Sequence, residues 1–139
     1  MKVPFVWPSR VRFVDTDASG RIHYTAMLRH FEAAEVEFLR VLGFPYTAVE
    51  TSEISYPRVH VECHYTGAVT DDDLLHITVT VERVGHSSFT LGFAATVGER
   101  PVAHGRITIV CMDKHTQRSR PLPEMFASTL KQHLPEGKQ

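Results

Sequence analysis

The sequence predicts an α+β protein, a curved antiparallel sheet wrapped around one long central helix. Three observations predict it. Residues 24–42 place Met27, Leu28, Phe31, Ala34, Phe38, Leu39 and Leu42 at three- and four-residue steps, which gathers them on one helical face. Residues 54–113 hold four runs of alternating apolar and polar side chains, the signature of strands with one buried face. Short turn-rich breaks join those runs, so consecutive strands are expected to pair as antiparallel neighbours. A helix with so wide an apolar stripe needs a sheet to lie against.

In chain order, Arg10-Val11-Arg12-Phe13-Val14 alternates and reads as a short strand. The helix follows, with Gly43 as its C-terminal cap and Pro45 preventing continuation. Val59, Val61, Cys63 and Tyr65 are the inward positions of the first long strand, and Leu75, Ile77, Val79 and Val81 those of the second. Phe89, Leu91, Phe93, Ala95 and Val97 mark the third; Ala103, Gly105, Ile107, Ile109 and Cys111 mark the fourth. Beyond a polar, basic stretch and Pro121-Leu122-Pro123, a short helix is expected from about Glu124 to His133, then a frayed tail from Pro135 to Gln139. With 139 residues, no internal repeat and no linker, residues 1–139 read as one domain with its core at about 10–123.

Composition excludes several functions. Lys and Arg total 15 against 16 for Asp and Glu, with no long basic run, so a nucleic-acid partner is disfavoured. The nine histidines lack metal-ligand spacing, and no metal is expected. Cys63 and Cys111 read as small buried hydrophobes in a reducing compartment, without the surroundings of a nucleophilic thiol. Residues 1–14 contain no secretory apolar region, and no stretch has the ~18 apolar residues of a membrane span. A soluble, cytoplasmic protein is expected.

The most informative residues are Asp15-Thr16-Asp17-Ala18-Ser19-Gly20-Arg21-Ile22, two acids and a glycine turn immediately before the helix. A helix start offers unpaired N–H groups and a partial positive potential, which hold an acid ionised and polarise a carbonyl beside it. The same residues also suit a loop brace or helix cap. No serine is flanked by glycines two positions away on both sides, which removes the G-x-S-x-G route to a serine nucleophile.

The stretch from Val11 to Tyr24, followed by a helix carrying Phe31-Glu32 and Glu37-Phe38-Leu39, resembles the hot-dog-fold acyl-CoA thioesterases of the 4-hydroxybenzoyl-CoA thioesterase family. The shared pattern is an aromatic-ending strand, D-[TC]-D-x-x-G, an apolar pair, an aromatic or His, and a long helix. Downstream, Asp72-Asp73-Leu74-Leu75-His76-Ile77, Gly85-His86-Ser87-Ser88-Phe89 and Pro121-Leu122-Pro123 extend the likeness to about residues 10–123.

That resemblance implies hydrolysis of an acyl-CoA thioester to free acid and CoA, with no cofactor. Asp17 matches the catalytic carboxylate, acting as nucleophile or general base. Tyr24 matches the position whose backbone N–H polarises the thioester carbonyl, and Gly20 lets the chain turn enough to bring the two together. Asp15 either braces the loop or takes part in catalysis. His23-Tyr24 stands where many members have Tyr-His, and a one-residue offset turns a helical side chain by ~100°. His23 is therefore expected in the pocket wall or behind the catalytic groups. Arg21 replaces a small or apolar residue.

Ser87, Ser88 and Arg83 are the candidate contacts to CoA, with Arg58, Arg118 and Arg120 also available as cations. Glu32, Glu35 and Glu37 are expected in salt bridges or on a solvated helix face. Members of the family pair into homodimers, often homotetramers, and an open strand edge gives this chain reason to do the same. The alternatives are a non-catalytic module binding acyl-CoA or acyl-carrier protein, and a hot-dog hydratase or dehydratase.

Overall fold

The computed structural model describes residues 3–135; the end of the expected frayed tail, residues 136–139, lies outside them. Five strands form one antiparallel sheet: β1 (Phe5–Arg10), β3 (Arg58–Tyr65), β4 (Leu74–Val84), β5 (Ser88–Val97) and β6 (Arg100–Val110), in the order β1-β4-β5-β6-β3. Helix α1 (Ala26–Val41) lies on its inner face, α2 (Tyr46–Val49) follows, and α3 (Glu124–Gln132) closes one end. A separate two-stranded ribbon joins β2 (Ile54–Ser55) to β7 (Met112–Asp113).

The central strands obey their alternation. Leu75, Ile77, Val79 and Val81 of β4, Phe89, Leu91, Phe93 and Ala95 of β5, and Ala103, Ile107 and Ile109 of β6 are buried against Met27, Phe31, Ala34, Phe38 and Leu39 of α1. Phe31 stacks on Phe93 with ring centroids 4.9 Å apart. Helix α1 ends as expected: Gly43 adopts a φ of 92°, its N–H bonds Arg40 O, and the Phe44 N–H bonds Leu39 O. That pair of bonds satisfies the last carbonyls in a Schellman arrangement. In α3, Phe126 meets the rings of Phe44, Tyr56 and Phe89.

Three expectations are corrected. The first strand is Phe5–Arg10, not Arg10–Val14. Phe5, Trp7 and Ser9 face inward, and Pro8 is tolerated because β1 is an edge strand that need not donate there. The chain then turns into a 3₁₀ segment, Phe13–Asp15, because the Asp15 carboxylate accepts the Arg12 N–H and closes the turn; Phe13 and Val14 end up exposed.

Second, β3 pairs with β6 rather than with β4. Residues 66–73 can reach about 26 Å when extended, more than enough to pass over two strands spaced about 4.8 Å apart. A short connection therefore did not require adjacency. Third, β3 is not half-buried: Val59 and Val61 are 60% and 45% exposed and Tyr65 is 45% exposed. It forms the free margin of the sheet.

Candidate active site

Asp17 opens a tight hairpin beside the beginning of β4. Thr16 and Ile22 form the closing bridge, and Arg21 bridges to Thr70. The Asp17 N–H donates to Arg21 O, and the Gly20 N–H to Asp17 O at 3.0 Å. Gly20 takes a φ of 82° with nothing within 4 Å of a would-be Cβ, so backbone conformation and not space calls for glycine.

The Asp17 carboxylate divides its two oxygens between tasks. Oδ1 accepts the Ser19 N–H at 2.8 Å and the Ser19 hydroxyl at 2.5 Å. Oδ2 has no partner among the described residues, and the side chain is exposed. The Ser19 hydroxyl and N–H, then His23 and Arg21, hold the carboxyl below the usual aspartate range. Asp17 thus caps its own turn through one oxygen and presents the other as an anion.

Tyr24 lies in the turn two residues ahead of α1, slightly before the expected helix start. Its N–H is left over when the turn's other bonds are assigned. The His23 N–H goes to Asp15 O, the Thr25 N–H to His23 Nδ1, and the Ala26 N–H to His23 O. Among the described residues none accepts from the Tyr24 amide, which suits it to an incoming carbonyl. The Tyr24 carbonyl accepts from the Tyr65 hydroxyl, tying the turn to the end of β3. The His23 ring stacks on Tyr24, and its Nδ1 is occupied by Thr25. His23 therefore shapes the turn.

Asp15 is buried beneath the loop. Burial pushes its carboxyl up, but the Arg12 N–H, Arg29 and His30 together outweigh burial and hold it below the usual range. The spacing of the histidines gave no sign of the His30 contact.

The helix acids divide. Glu32 is exposed and Glu37 pairs with Arg40 at 3.6 Å, both as expected; Glu35 forms its expected salt bridge, with Arg58, but does so fully buried. Burial raises its carboxyl above the usual range, while Arg58 and the Tyr46 hydroxyl at 2.8 Å oppose that rise. Arg58 is consequently engaged with Glu35, with Tyr56 O at 3.0 Å and with the Tyr46 ring. Arg120 lies 3.5 Å from Asp113. Burial pushes the Cys63 and Cys111 thiols up, as expected of inert cysteines.

Ser87, Ser88 and Arg83 cluster at the far end of β4. The Ser87 carbonyl accepts the Cys111 N–H and the His86 carbonyl accepts the Leu122 N–H, which fixes that turn. The Asp17 hairpin adjoins the Leu74 end, where the Val11 N–H reaches Asp73 O. The ten steps of β4 between the ends span roughly 33 Å. One chain therefore does not bring the catalytic and CoA-binding candidates together.

Comparison with known proteins gives a consistent set. The family profile of the thioesterase-like superfamily matches residues 11–130. The chain is 31% identical over 133 residues to a 1,4-dihydroxy-2-naphthoyl-CoA hydrolase of Synechococcus, covering 90% of this chain and 87% of that protein. It is 25% identical over 129 residues to the acyl-CoA thioester hydrolase YbgC of Escherichia coli, covering 92% and 96%. The solved structure of a gentisyl-coenzyme A thioesterase superposes with a TM-score of 0.82 at 26% identity, covering 90% and 98%.

Proposed function

This chain belongs to the thioesterase-like superfamily and is a hot-dog acyl-CoA thioesterase, and from that premise we propose that Asp17 and the Tyr24 N–H carry out the hydrolysis. The observation that carries this reading is that one short loop holds both an ionised carboxylate with one oxygen unbonded and an amide that has no acceptor among the described residues. The Tyr24 N–H donates to the thioester carbonyl oxygen and stabilises the charge that builds there, an effect worth ~3–4 kcal/mol for a good donor. The free Asp17 oxygen either adds to the carbonyl carbon, expelling CoA thiolate and leaving a mixed anhydride for water to cleave, or takes a proton from the water that attacks. A thiolate leaves readily, so the chemistry needs no cofactor or strong acid beyond these groups.

The protein works as a homodimer, paired along β3 and capable of further pairing into a tetramer. The bare apolar side chains of β3 and its unpaired edge support this. An antiparallel pairing sets the Tyr65 end of one β3 beside the Arg58 end of the other. It thereby carries the partner's turn, with Ser87, Ser88 and Arg83, towards Asp17. A cytoplasmic location belongs to the same reading and is supported by Cys63 and Cys111 remaining free thiols. No helix among the described residues is long and apolar enough to cross a membrane.

The decisive experiment is release of free thiol from butyryl-, hexanoyl-, palmitoyl- and benzoyl-CoA by the wild type and by Asp17→Asn. Asparagine keeps an oxygen to accept from Ser19, so the turn survives while the charge is lost. We expect kcat to fall roughly 10²–10⁴-fold on every ester the wild type turns over, with the melting temperature unchanged. Full turnover by Asp17→Asn would refute the assignment, and the panel identifies the acyl preference.

A further inference from the structure

A polar chain with Asp15 and His30 buried at its centre adjoins the Asp17 hairpin and touches none of the reacting groups. The Ser9 hydroxyl, on the inner face of β1, lies 2.6 Å from His30 Nδ1. His30 Nε2 lies 3.0 Å from Asp15 Oδ2, and Arg29 donates to Asp15 Oδ1 at 3.0 Å. The Arg12 N–H completes the set on Oδ2 at 2.9 Å. An ionised Asp15 can only accept, so Nε2 carries a proton; in the neutral imidazole Nδ1 then accepts from Ser9. Both ring nitrogens and both carboxylate oxygens are therefore satisfied in a buried site, where a loose partner is costly.

Three elements meet in this chain: β1 through Ser9, the 3₁₀ turn through Asp15, and α1 through Arg29 and His30. Asp15 also works through its backbone, because its carbonyl accepts the His23 N–H at 2.7 Å. The peptide that follows His23 is the one bearing the Tyr24 N–H. Two residues beyond Asp15, in the other direction of the same loop, stands Asp17. Holding Asp15 to α1 thus fixes both halves of the proposed site relative to one another.

We infer that Ser9 and His30, acting through Asp15, are positioning residues that set the geometry between the Asp17 carboxylate and the Tyr24 N–H. The inference rests on the assignment of Asp17 above. A purely structural network would alter melting temperature and leave kcat of the folded enzyme unchanged; a positioning network alters kcat at temperatures where the variant is fully folded.

The test measures kcat and KM on the same four acyl-CoA esters for His30→Leu, His30→Gln and Ser9→Ala, well below each variant's melting temperature. His30→Leu should lower kcat by roughly tenfold to hundredfold, the scale expected of a small misplacement of reacting groups, with KM nearly unchanged. His30→Gln, whose amide nitrogen can still donate to Asp15, should recover most of the rate. Placed on the Asp17→Asn background, His30→Leu should cost nothing further. A folded His30→Leu enzyme with wild-type kcat, or one that multiplies the Asp17→Asn defect, overturns the inference. Should His30→Leu fail to fold, Ser9→Ala decides, because it deletes one hydroxyl: a lowered kcat supports the inference and an unchanged kcat overturns it. Active Asp17→Asn refutes the catalytic assignment itself, whereas inactive Asp17→Asn beside fully active His30→Leu refutes only this inference.

Discussion

Asp17 is held ionised by the residue two places after it, Ser19. The Ser19 hydroxyl is the largest influence lowering the carboxyl from its ordinary value of 3.8, ahead of the Ser19 N–H. A lowered value means the anion survives into more acidic solution, so the acid limb of kcat/KM should lie below pH 3.8. Ser19→Ala deletes the first donor and keeps the second, and the limb should move up toward that ordinary value while kcat near pH 7 changes little. Rate–pH profiles of the two proteins check this; an unmoved limb would mean another group controls the profile. The Asp–Thr–Asp–x–x–Gly spacing made the turn legible, because turn chemistry is local, but it left a loop brace or helix cap open, and only the family resemblance singled out Asp17. Glu35 and His30 were not legible in that way. Their burial depends on Tyr46, Arg58, Ser9 and Asp15, partners brought in from other elements.

At the scale of elements, periodicity located the four long strands and the helix, but it misplaced the first strand and could not order the sheet. The alternation of Val59, Val61, Cys63 and Tyr65 marks a strand wherever that strand is placed, and eight residues suffice to carry the chain from one side of the sheet to the other. Gly105 records where β3 went. A Cβ there would stand 2.1 Å from the Glu62 carbonyl oxygen and 3.1 Å from Cys63 Cα, both main-chain atoms of β3. Neither can rotate away, so Gly105→Ala must push β3 off β6. A destabilisation of ~1–3 kcal/mol is expected from overpacking of this kind, read as a lowered urea midpoint. Gly20 offers the contrast. It has open space but a φ of 82°, so alanine there strains the hairpin around Asp17 without disturbing the sheet.

At the scale of the whole molecule, the roughly 33 Å along β4 decides what a complete site must be. If the turn bearing Arg83, Ser87 and Ser88 binds CoA and Asp17 cleaves the thioester, each site needs one end from each of two chains. The resemblance gave the pairing, but the sequence could not give the distance, which depends on Asp17 and the turn lying at opposite ends of the same strand. Mixing two defective proteins distinguishes a shared site from a self-contained one. Asp17→Asn lacks the carboxylate; an Arg83→Glu/Ser87→Asp variant repels CoA phosphates and should raise KM strongly. Refolded together in equal amounts, half the dimers pair one chain of each kind. Such a dimer has one site with both defects and one with neither, so total activity at low acyl-CoA should recover to about a quarter of wild type. Two chains with self-contained sites would give no recovery at all. Sedimentation of the wild type must show at least a dimer in the same buffer, and Val61→Lys on the bare margin of β3 should shift it toward monomer and abolish recovery.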